Sequence, residues 1–242
     1  MTHGNALQDI REFYQLMDQL EKLIGGARNL DTVNGKIPWP KRGVYFFFEP
    51  GETRSTSGVG PRVVRIGTHG LIQNSKSTLW GRLRNHKGLT NGQFPDGGNH
   101  RGSVFRNHVG EALINKQNRR GPETSTWGRD DNITPENKIL EYPLEREVSQ
   151  HIRSMPFVWL AVDDLPGPES MRGYIERNAI ALLSNFNRQN NPIDPPSETW
   201  LGNWAARSFI RESGLWNVNH VTKAYDPKLL NYLQDHIMKM KI

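Results

Sequence analysis

The sequence predicts an α+β fold in which a small sheet is flanked by helices. Three short apolar runs, 43–48, 62–67 and 156–162, have the aromatic and β-branched content of buried strands. Several other segments carry apolar residues at every third or fourth position, which is the period of an amphipathic helix. Only 35% of the residues are hydrophobic, but seven Trp, nine Phe and six Tyr supply bulk for a core. We therefore expect a folded protein and not a disordered chain.

The composition excludes several classes of protein. The chain has no cysteine, which excludes a disulfide framework, a thiolate zinc site and a cysteine nucleophile. The longest apolar run, Phe157–Val162, has six residues, whereas a helix that spans a bilayer needs about 20. The first residues lack a basic stretch followed by an apolar one, so no signal peptide is predicted. We expect a cytoplasmic protein with no membrane partner, and a length of 242 residues predicts a single domain, 1–242.

In the N-terminal half, helical spacing of apolar residues predicts a helix from Asn5 to Ile24, ended by two glycines. The first two strands, 43–48 and 62–67, are separated by a loop rich in Gly, Ser and Thr. A Ser/Thr-rich cap at 75–78 then predicts a helix from Leu79 to His86.

Residues 88–137 are rich in Gly, Asn and Arg and have little periodicity, so they are predicted to form a functional insertion loop. One short helix, Val104–Leu113, is predicted inside this loop. The remaining predicted elements are a helix at Pro143–Ile152, a strand at 156–162, a helix at Glu169–Asn185 and a closing helix at Pro227–Met240. Three tryptophans of the last third, Trp200, Trp204 and Trp216, are interpreted as core residues or subunit contacts.

Positive charge is concentrated in the middle of the chain. The segment 36–129 holds 16 basic and 5 acidic residues, a net charge of +11, although the whole chain carries only +6. Such a segment favours a polyanionic partner, because Lys and Arg displace condensed counterions from phosphates. A solvated basic face without a partner remains an equal alternative on charge alone.

A small set of residues has the types that phosphodiester chemistry needs. Tyr45 ends a Gly-Val-Tyr segment, and Arg82 and His86 are four residues apart on one helix and therefore share a face. Glu176 falls on an apolar stripe, where a carboxylate is costly unless it is paired or binds a cation. Arg172, four residues earlier, is one such partner.

In this order, the residues resemble the GIY-YIG nuclease superfamily. There, a Gly-Ile-Tyr strand forms a hairpin with a Tyr-Ile-Gly strand, a Leu-x-x-Arg-Leu-x-x-His helix follows, and a later helix supplies one metal-binding Glu. The matching segments here are 43–45, 66–67, 79–86 and 174–176, so the resemblance covers 43–190. It implies a core with a three-stranded antiparallel sheet, extended by an N-terminal helical region (1–35), the basic insertion (88–137) and a C-terminal helical region (191–242). Arg65 stands where the family has its second Tyr.

The resemblance also implies roles. Glu176 would hold Mg²⁺, with Mn²⁺ as a substitute, because Mg²⁺ accepts one carboxylate and keeps waters or phosphate oxygens. Tyr45 would accept the proton of the attacking water, and we hypothesise that Arg65 favours its phenolate if both side chains share a face. Arg82 would clamp a phosphate oxygen and His86 would shuttle a proton. The family places an Asn after the Glu helix; Asn187 is preferred here over Asn185, Asn190 and Asn191.

Basic residues of the helix and the insertion are predicted to contact phosphates rather than bases: Arg84, Lys87, Arg101, Arg106, Arg119 and Arg120. The histidines His69, His100 and His108 suggest a metal site or an HNH-type nuclease, but their spacing fits no standard ligand pattern. We interpret them as loop residues that are solvated or lie near phosphates.

These expectations combine into a Mg²⁺-dependent endonuclease of the restriction or anti-phage-defence type. Its partner would be double-stranded DNA, and a palindromic target would require a homodimer. Three alternatives stay open: a repair or mobile-element nuclease with the same site, a nucleic-acid-binding protein whose site has decayed at Arg65, and RNA as the substrate.

Overall fold

The computed structural model describes residues 3–129 and 134–240, and side chains from residue 6 onward. It confirms the α+β fold, with one antiparallel sheet flanked by helices. The strands are β1 (Arg28–Asn29), β2 (Gly43–Thr53), β3 (Pro61–Gly67) and β4 (Pro156–Ala161), in the spatial order β1-β4-β2-β3. The prediction of three strands was one short, because β1 has only two residues and leaves no pattern in the sequence.

The helices surround this sheet. They are α1 (His3–Leu23), α2 (Leu79–Lys87), α3 (Val104–Lys116), α4 (Glu123–Thr126), α5 (Pro135–Ser154), α6 (Met171–Leu183), α7 (Ser208–Ser213) and α8 (Lys228–Lys239). In the described residues, no helix combines the length and the apolar character that crossing a membrane requires.

Strand β2 is the centre of the molecule, and its register sets the site. It pairs with β3 on one side and with β4 on the other, so its run of aromatic residues is buried on both faces. Tyr45 lies opposite Gly67, and Phe47 lies opposite Arg65. Because side chains alternate along a strand, Tyr45 and Arg65 project from the same face of the sheet. This is the arrangement that the phenolate hypothesis requires.

The basic insertion contains more helix than the sequence predicted. Helices α3, α4 and the start of α5 occupy nearly half of its described length, and the buried face of α3, which includes the predicted helix Val104–Leu113, packs against α5. Residues 130–133 of the predicted loop lie outside the described residues. Pro143 lies inside α5 and does not begin it. The carbonyl that loses its helical partner belongs to Ile139, which is exposed and can bond to water.

The C-terminal region covers the free edge of β3. The Trp216 amide donates to the Val64 carbonyl at 2.7 Å, and the Asn217 side chain accepts from the Ile66 amide and donates to its carbonyl. The indole N–H groups of Trp200 and Trp216 both donate to the buried carboxylate of Glu49, at 2.8 and 2.9 Å. Both tryptophans are therefore core residues.

Candidate active site

Two glycines give Tyr45 its place. A Cβ on Gly43 would lie 2.4 Å from the Leu160 carbonyl of the adjacent strand. A Cβ on Gly67 would lie 2.2 Å from Oη of Tyr45, whose ring crosses directly over this position of β3. Both distances are shorter than any side chain tolerates. The missing side chain at Gly43 lets β2 and β4 pair closely just before Tyr45, and the missing side chain at Gly67 lets the Tyr45 ring rest against the sheet.

Arg65 lies on the same face as Tyr45 and is held by two other elements. Its Nη1 donates to the Trp216 carbonyl at 2.6 Å, and its guanidinium lies 5.4 Å from the ring centroid of Phe105, on α3. Burial lowers the pKa of the guanidinium, while Tyr45 and Glu176 oppose this shift by favouring the charged form. A cation thus faces the Tyr45 hydroxyl where the family pattern has a second tyrosine.

Helix α2 brings Arg82 and His86 to the sheet. The helix begins at Thr78, whose hydroxyl accepts from the Gly81 amide at 3.1 Å. His86 is fully buried and its Nε2 lies 2.8 Å from Oη of Tyr45. One turn earlier, Arg82 is half-buried, and its buried Nε has no hydrogen-bond partner among the described residues. No described residue accepts a hydrogen bond from this guanidinium, so its exposed part can bind an anionic ligand.

The surroundings of His86 disfavour its charged form. Burial, and then the guanidinium groups of Arg82 and Arg65, hold the pKa of His86 well below its ordinary value of 6.5. Its second ring nitrogen, Nδ1, lies 2.8 Å from Oγ of Ser103. The imidazole is therefore bonded at both nitrogens and acts as a hydrogen-bonding group, not as a cation.

Glu176 faces this cluster from α6. Its Oε1 accepts from the Thr68 amide at 3.1 Å, directly after β3. Burial raises the pKa of Glu176, and the charge of Arg65, the Thr68 hydrogen bond and then Arg82 reduce that rise. Arg172 does not neutralise it, because its guanidinium binds Asp164 and the carbonyl of His69.

The second oxygen of Glu176, Oε2, accepts no hydrogen bond from residues that the structure describes. One carboxylate with a free oxygen, close to cations that attract phosphate, fits a hard divalent ion that completes its shell with water and phosphate oxygens. The described residues contain no group of three or more His, Asp or Glu arranged to bind a metal.

Five residues from four elements thus surround one site: Tyr45 of β2, Arg65 of β3, Arg82 and His86 of α2, and Glu176 of α6. A family model of the GIY-YIG domain matches residues 4–242, nearly the whole chain. The chain belongs to the GIY-YIG family. This membership indicates a nuclease-type function, and GIY-YIG nucleases act on DNA. The chain matched no curated protein and no solved structure.

Asn187, the sixth residue predicted for the GIY-YIG site, is not brought to this cluster. It lies in a short 3₁₀ helix after α6, is exposed, and donates to the Thr222 carbonyl at 3.1 Å. Asn185 is buried and bonds to the main chain of Ile193. Both amides hold loops of the C-terminal region in the structure as it stands.

The basic residues that were predicted to contact DNA fall into two groups, those bonded to other protein groups and those that are exposed. Four are engaged inside the protein, a correction to the sequence interpretation. Arg106 is fully buried and paired with Glu145, and Arg101 forms a two-pronged ion pair with Glu141 at 2.6 and 2.7 Å. The Lys87 ammonium donates to the Val33 carbonyl at 2.7 Å, and Arg119 pairs with Glu147 at 2.5 Å. Arg84 and Arg120 are exposed and have no ion-pair partner in the described residues.

The three other histidines have structural surroundings. His100 is buried, lies 2.9 Å from Oε1 of Glu145 and stacks on Trp127. His108 is buried beside Glu111. His69 is also buried, and burial, followed by the charge of Arg172, lowers its pKa to about 4. All three are packed side chains, which corrects their interpretation as solvated residues, although His69 does lie in a loop, just after β3.

Sequence analysis missed the residues that support the GIY-YIG cluster from outside the motifs. Ser103 contacts His86, Thr68 contacts Glu176, and the Trp216 main chain contacts Arg65. Ser103 had one readable signal, since Ser directly before the predicted helix at Val104 is a typical N-cap. The other two contacts arise only when distant parts of the chain meet.

Proposed function

We propose that this protein is a divalent-metal-dependent endonuclease that hydrolyses phosphodiester bonds of double-stranded DNA. The observation that carries the proposal is the convergence of Tyr45, Arg65, Arg82, His86 and Glu176 on one site in a GIY-YIG chain. An oxygen that can take a proton, cations that bind phosphate and a carboxylate with a free oxygen are what this hydrolysis requires.

Glu176 would hold the metal ion, Mg²⁺ or Mn²⁺ in its place. When bound, such an ion polarises the phosphoryl oxygen and stabilises the leaving oxygen as a Lewis acid. The Thr68 amide donates to one oxygen of the Glu176 carboxylate and so fixes the orientation of the other oxygen toward the site. The raised pKa of Glu176 means that the carboxylate is poorly stabilised without a bound cation, which strengthens its interaction with one.

Different residues of the site would accept the proton, stabilise charge and bind the phosphate. Tyr45 acts as a phenolate, after its own proton has passed to solvent. Water then attacks phosphorus, its proton passes to the Tyr45 oxygen as the new P–O bond forms, and the bond from phosphorus to the leaving oxygen breaks. Arg65 and His86 lie beside that tyrosine oxygen and stabilise negative charge on it before the transfer. Arg82, with its unpartnered Nε, holds the phosphate as charge builds on its oxygens.

The exposed face near α2 fits a DNA duplex. Arg84 and the amide side chains of Asn85 and Asn91 line a groove between α2 and the segment 88–102, and no acidic residue lines it. Arg84 and Arg120 would contact backbone phosphates, and the amides have the donors and acceptors that base edges match. A restriction or anti-phage-defence role in the cytoplasm, with a homodimer on a palindromic target, is the setting we propose for this activity.

A DNA-binding protein with a decayed site is the second candidate, because Arg65 replaces the second tyrosine of the family pattern. The position of Arg65 favours activity, since its cation supports the Tyr45 oxygen and does not leave a gap beside it. A decayed protein would bind DNA with a steep salt dependence and would not cut it under any metal condition.

The test is incubation of the full chain with supercoiled plasmid and phage DNA, with Mg²⁺ or with EDTA. The variants are Glu176→Gln and, as a matched control, Glu169→Gln, which removes an exposed carboxylate just before α6. We expect discrete fragments with Mg²⁺ from the wild type and the control, and none with EDTA or from Glu176→Gln. A smear would favour a repair or mobile-element type of nuclease. Intact DNA in every reaction, with binding retained, would favour the decayed protein.

A further inference from the structure

Ser103 connects the basic insertion to the candidate active site. It directly precedes α3, is buried, and its hydroxyl oxygen accepts from the Arg106 amide at 3.3 Å, as an N-cap does. The same oxygen lies 2.8 Å from Nδ1 of His86, whose Nε2 lies 2.8 Å from the Tyr45 hydroxyl. A continuous line of hydrogen bonds therefore runs from the insertion to the proposed proton acceptor.

The number of protons that each group carries determines which atom donates in each hydrogen bond of this line. A serine hydroxyl has one proton to donate, and a neutral imidazole has one N–H and one acceptor nitrogen. Among the described residues, Nδ1 of His86 is the sole acceptor within reach of the Ser103 hydroxyl, since the Arg106 amide is itself a donor. If Nδ1 carried a proton, the hydroxyl would receive two donors and its own proton would be buried without a partner.

We infer that Ser103 is a positioning residue that donates its hydroxyl proton to Nδ1 of His86 and thereby fixes the imidazole proton on Nε2. In this tautomer, Nε2–H donates to the Tyr45 oxygen. The Tyr45 oxygen then has His86 and the cation of Arg65 beside it, and its own proton is directed away from His86. His86 stabilises negative charge on Tyr45, and it does not take the tyrosine proton.

A buried guanidinium fixes the relative positions of Ser103 and His86. Arg106 Nη1 donates to the His86 carbonyl at 2.9 Å, and its Nη2 donates to Oγ of Ser149 at 2.9 Å and to the Glu145 carboxylate. The backbone positions of both hydrogen-bonding partners thus depend on one fully buried side chain. The strongly basic insertion contributes here through its internal contacts and not through phosphate binding.

This inference rests on the proposed function for its catalytic consequence, but the tautomer can be measured without any cleavage. We suggest ¹⁵N-histidine labelling of the full chain and two-bond ¹H–¹⁵N correlation, with His86 assigned by a His86→Asn variant. We expect wild-type His86 to show an acceptor-type Nδ1 and a protonated Nε2. Ser103→Thr, which keeps the cap and the donor, should show the same pattern, whereas Ser103→Ala should lose it.

Cleavage kinetics provide the second measurement. Ser103→Ala should lower the rate constant of the cleavage step about tenfold without changing DNA affinity, and Ser103→Thr should restore it. Thr134→Ala, which removes the N-cap of α5 far from His86, should lose stability but keep the rate, which separates positioning from capping.

Two outcomes would overturn the inference: a protonated Nδ1 in the wild type, which needs no variant to fold, or an unchanged tautomer in folded Ser103→Ala. The expected tautomers in a wild type that cuts no DNA would support the hydrogen-bond assignment and contradict the proposed function. The two claims therefore fail separately.

Discussion

Glu176 lies on an otherwise apolar face of α6, and its surroundings decide how it titrates. Its pKa is raised in the folded chain by burial, against an ordinary value of 4.5. The folded state therefore binds this proton more tightly than the unfolded state does, and the folded state loses stability as the pH rises above that ordinary value. A carboxylate that is buried in this way destabilises the fold at neutral pH.

Replacing Glu176 by Gln should make the protein more stable and inactive at once. The gain in the free energy of unfolding should be absent below the ordinary pKa, grow as the pH rises through the folded pKa, and then stay constant. Chemical denaturation of both proteins between pH 4 and 8 measures it. An equal or lower stability of Glu176→Gln at neutral pH would contradict the burial argument.

Gly67 gives a second prediction at this scale. An alanine there would place Cβ 2.2 Å from Oη of Tyr45, so the ring must move or β3 must shift. We expect Gly67→Ala to cost about 1–3 kcal/mol in stability and to abolish cleavage. Gly167→Ala is the control, because a Cβ there meets no atom within 4 Å. Normal cleavage by Gly67→Ala would show that Tyr45 does not need its present position.

At the scale of elements, a buried ion pair joins α3 and α5, in addition to the apolar residues that both helices contribute to the core. Arg106 and Glu145 are both buried, and Glu145 also binds His100 through the main-chain amide and Nδ1. Removing one partner leaves a buried charge, so we expect Arg106→Ala to lower stability by about 3–5 kcal/mol. Thermal and denaturant unfolding check this value.

Arg120→Ala is the matched control for this prediction. Arg120 is exposed in the same segment, so its removal should change stability by no more than about 0.5 kcal/mol. A loss of DNA affinity by a fully stable Arg106→Ala variant would contradict the internal role of Arg106. It would indicate that Arg106 contacts DNA phosphates.

The amino-acid sequence predicts some of these elements and not others. The strands and α2 could be recognised because Gly43 to Phe48 is an uninterrupted apolar run and Thr78 caps the helix. Helix α3 was predicted from 104–113, but α4 and the first two turns of α5 were not, since the buried residues of α5 include Glu141 and Glu145, which an apolar pattern counts as surface. Pro143 added a false helix start. Periodicity fails where charged residues form the interior.

The site was predictable where its residues follow one motif and not where folding supplies the neighbours. Tyr45, Arg65, Arg82, His86 and Glu176 could be found from their order, and the register of β2 and β3 then placed Arg65 on the face of the sheet that carries Tyr45. The Ser103 contact depends on how α3 packs, and the Trp216 contact joins positions 151 residues apart. No local pattern encodes either contact. Asn187 remains a prediction that the structure does not place near the cluster.

At the scale of the whole molecule, the concentration of basic residues overstates the charge available to DNA. Many of the 16 basic residues between Lys36 and Arg129 are paired or hydrogen-bonded internally, as Arg62 with Glu52 and Arg101 with Glu141 show. The dependence of DNA affinity on salt should therefore be much less steep than sixteen phosphate contacts would give.

Arg84→Ala and Arg120→Ala test which basic residues remain available to bind DNA. Each should weaken DNA binding about uniformly across sequences and reduce the slope of log affinity against log salt by about 1. Titrations of one duplex at several salt concentrations measure this slope. An unchanged slope in both variants would place the DNA on another face of the molecule.

The central claim is that the cluster around Tyr45 hydrolyses DNA. The most direct measurement is single-turnover cleavage with Mg²⁺ by wild type and Tyr45→Phe, alongside the DNA affinity of each. We predict that Tyr45→Phe cuts about 10²–10⁴-fold more slowly and binds DNA with unchanged affinity, because only the oxygen that takes the proton is lost. Cleavage by Tyr45→Phe at the wild-type rate would contradict it.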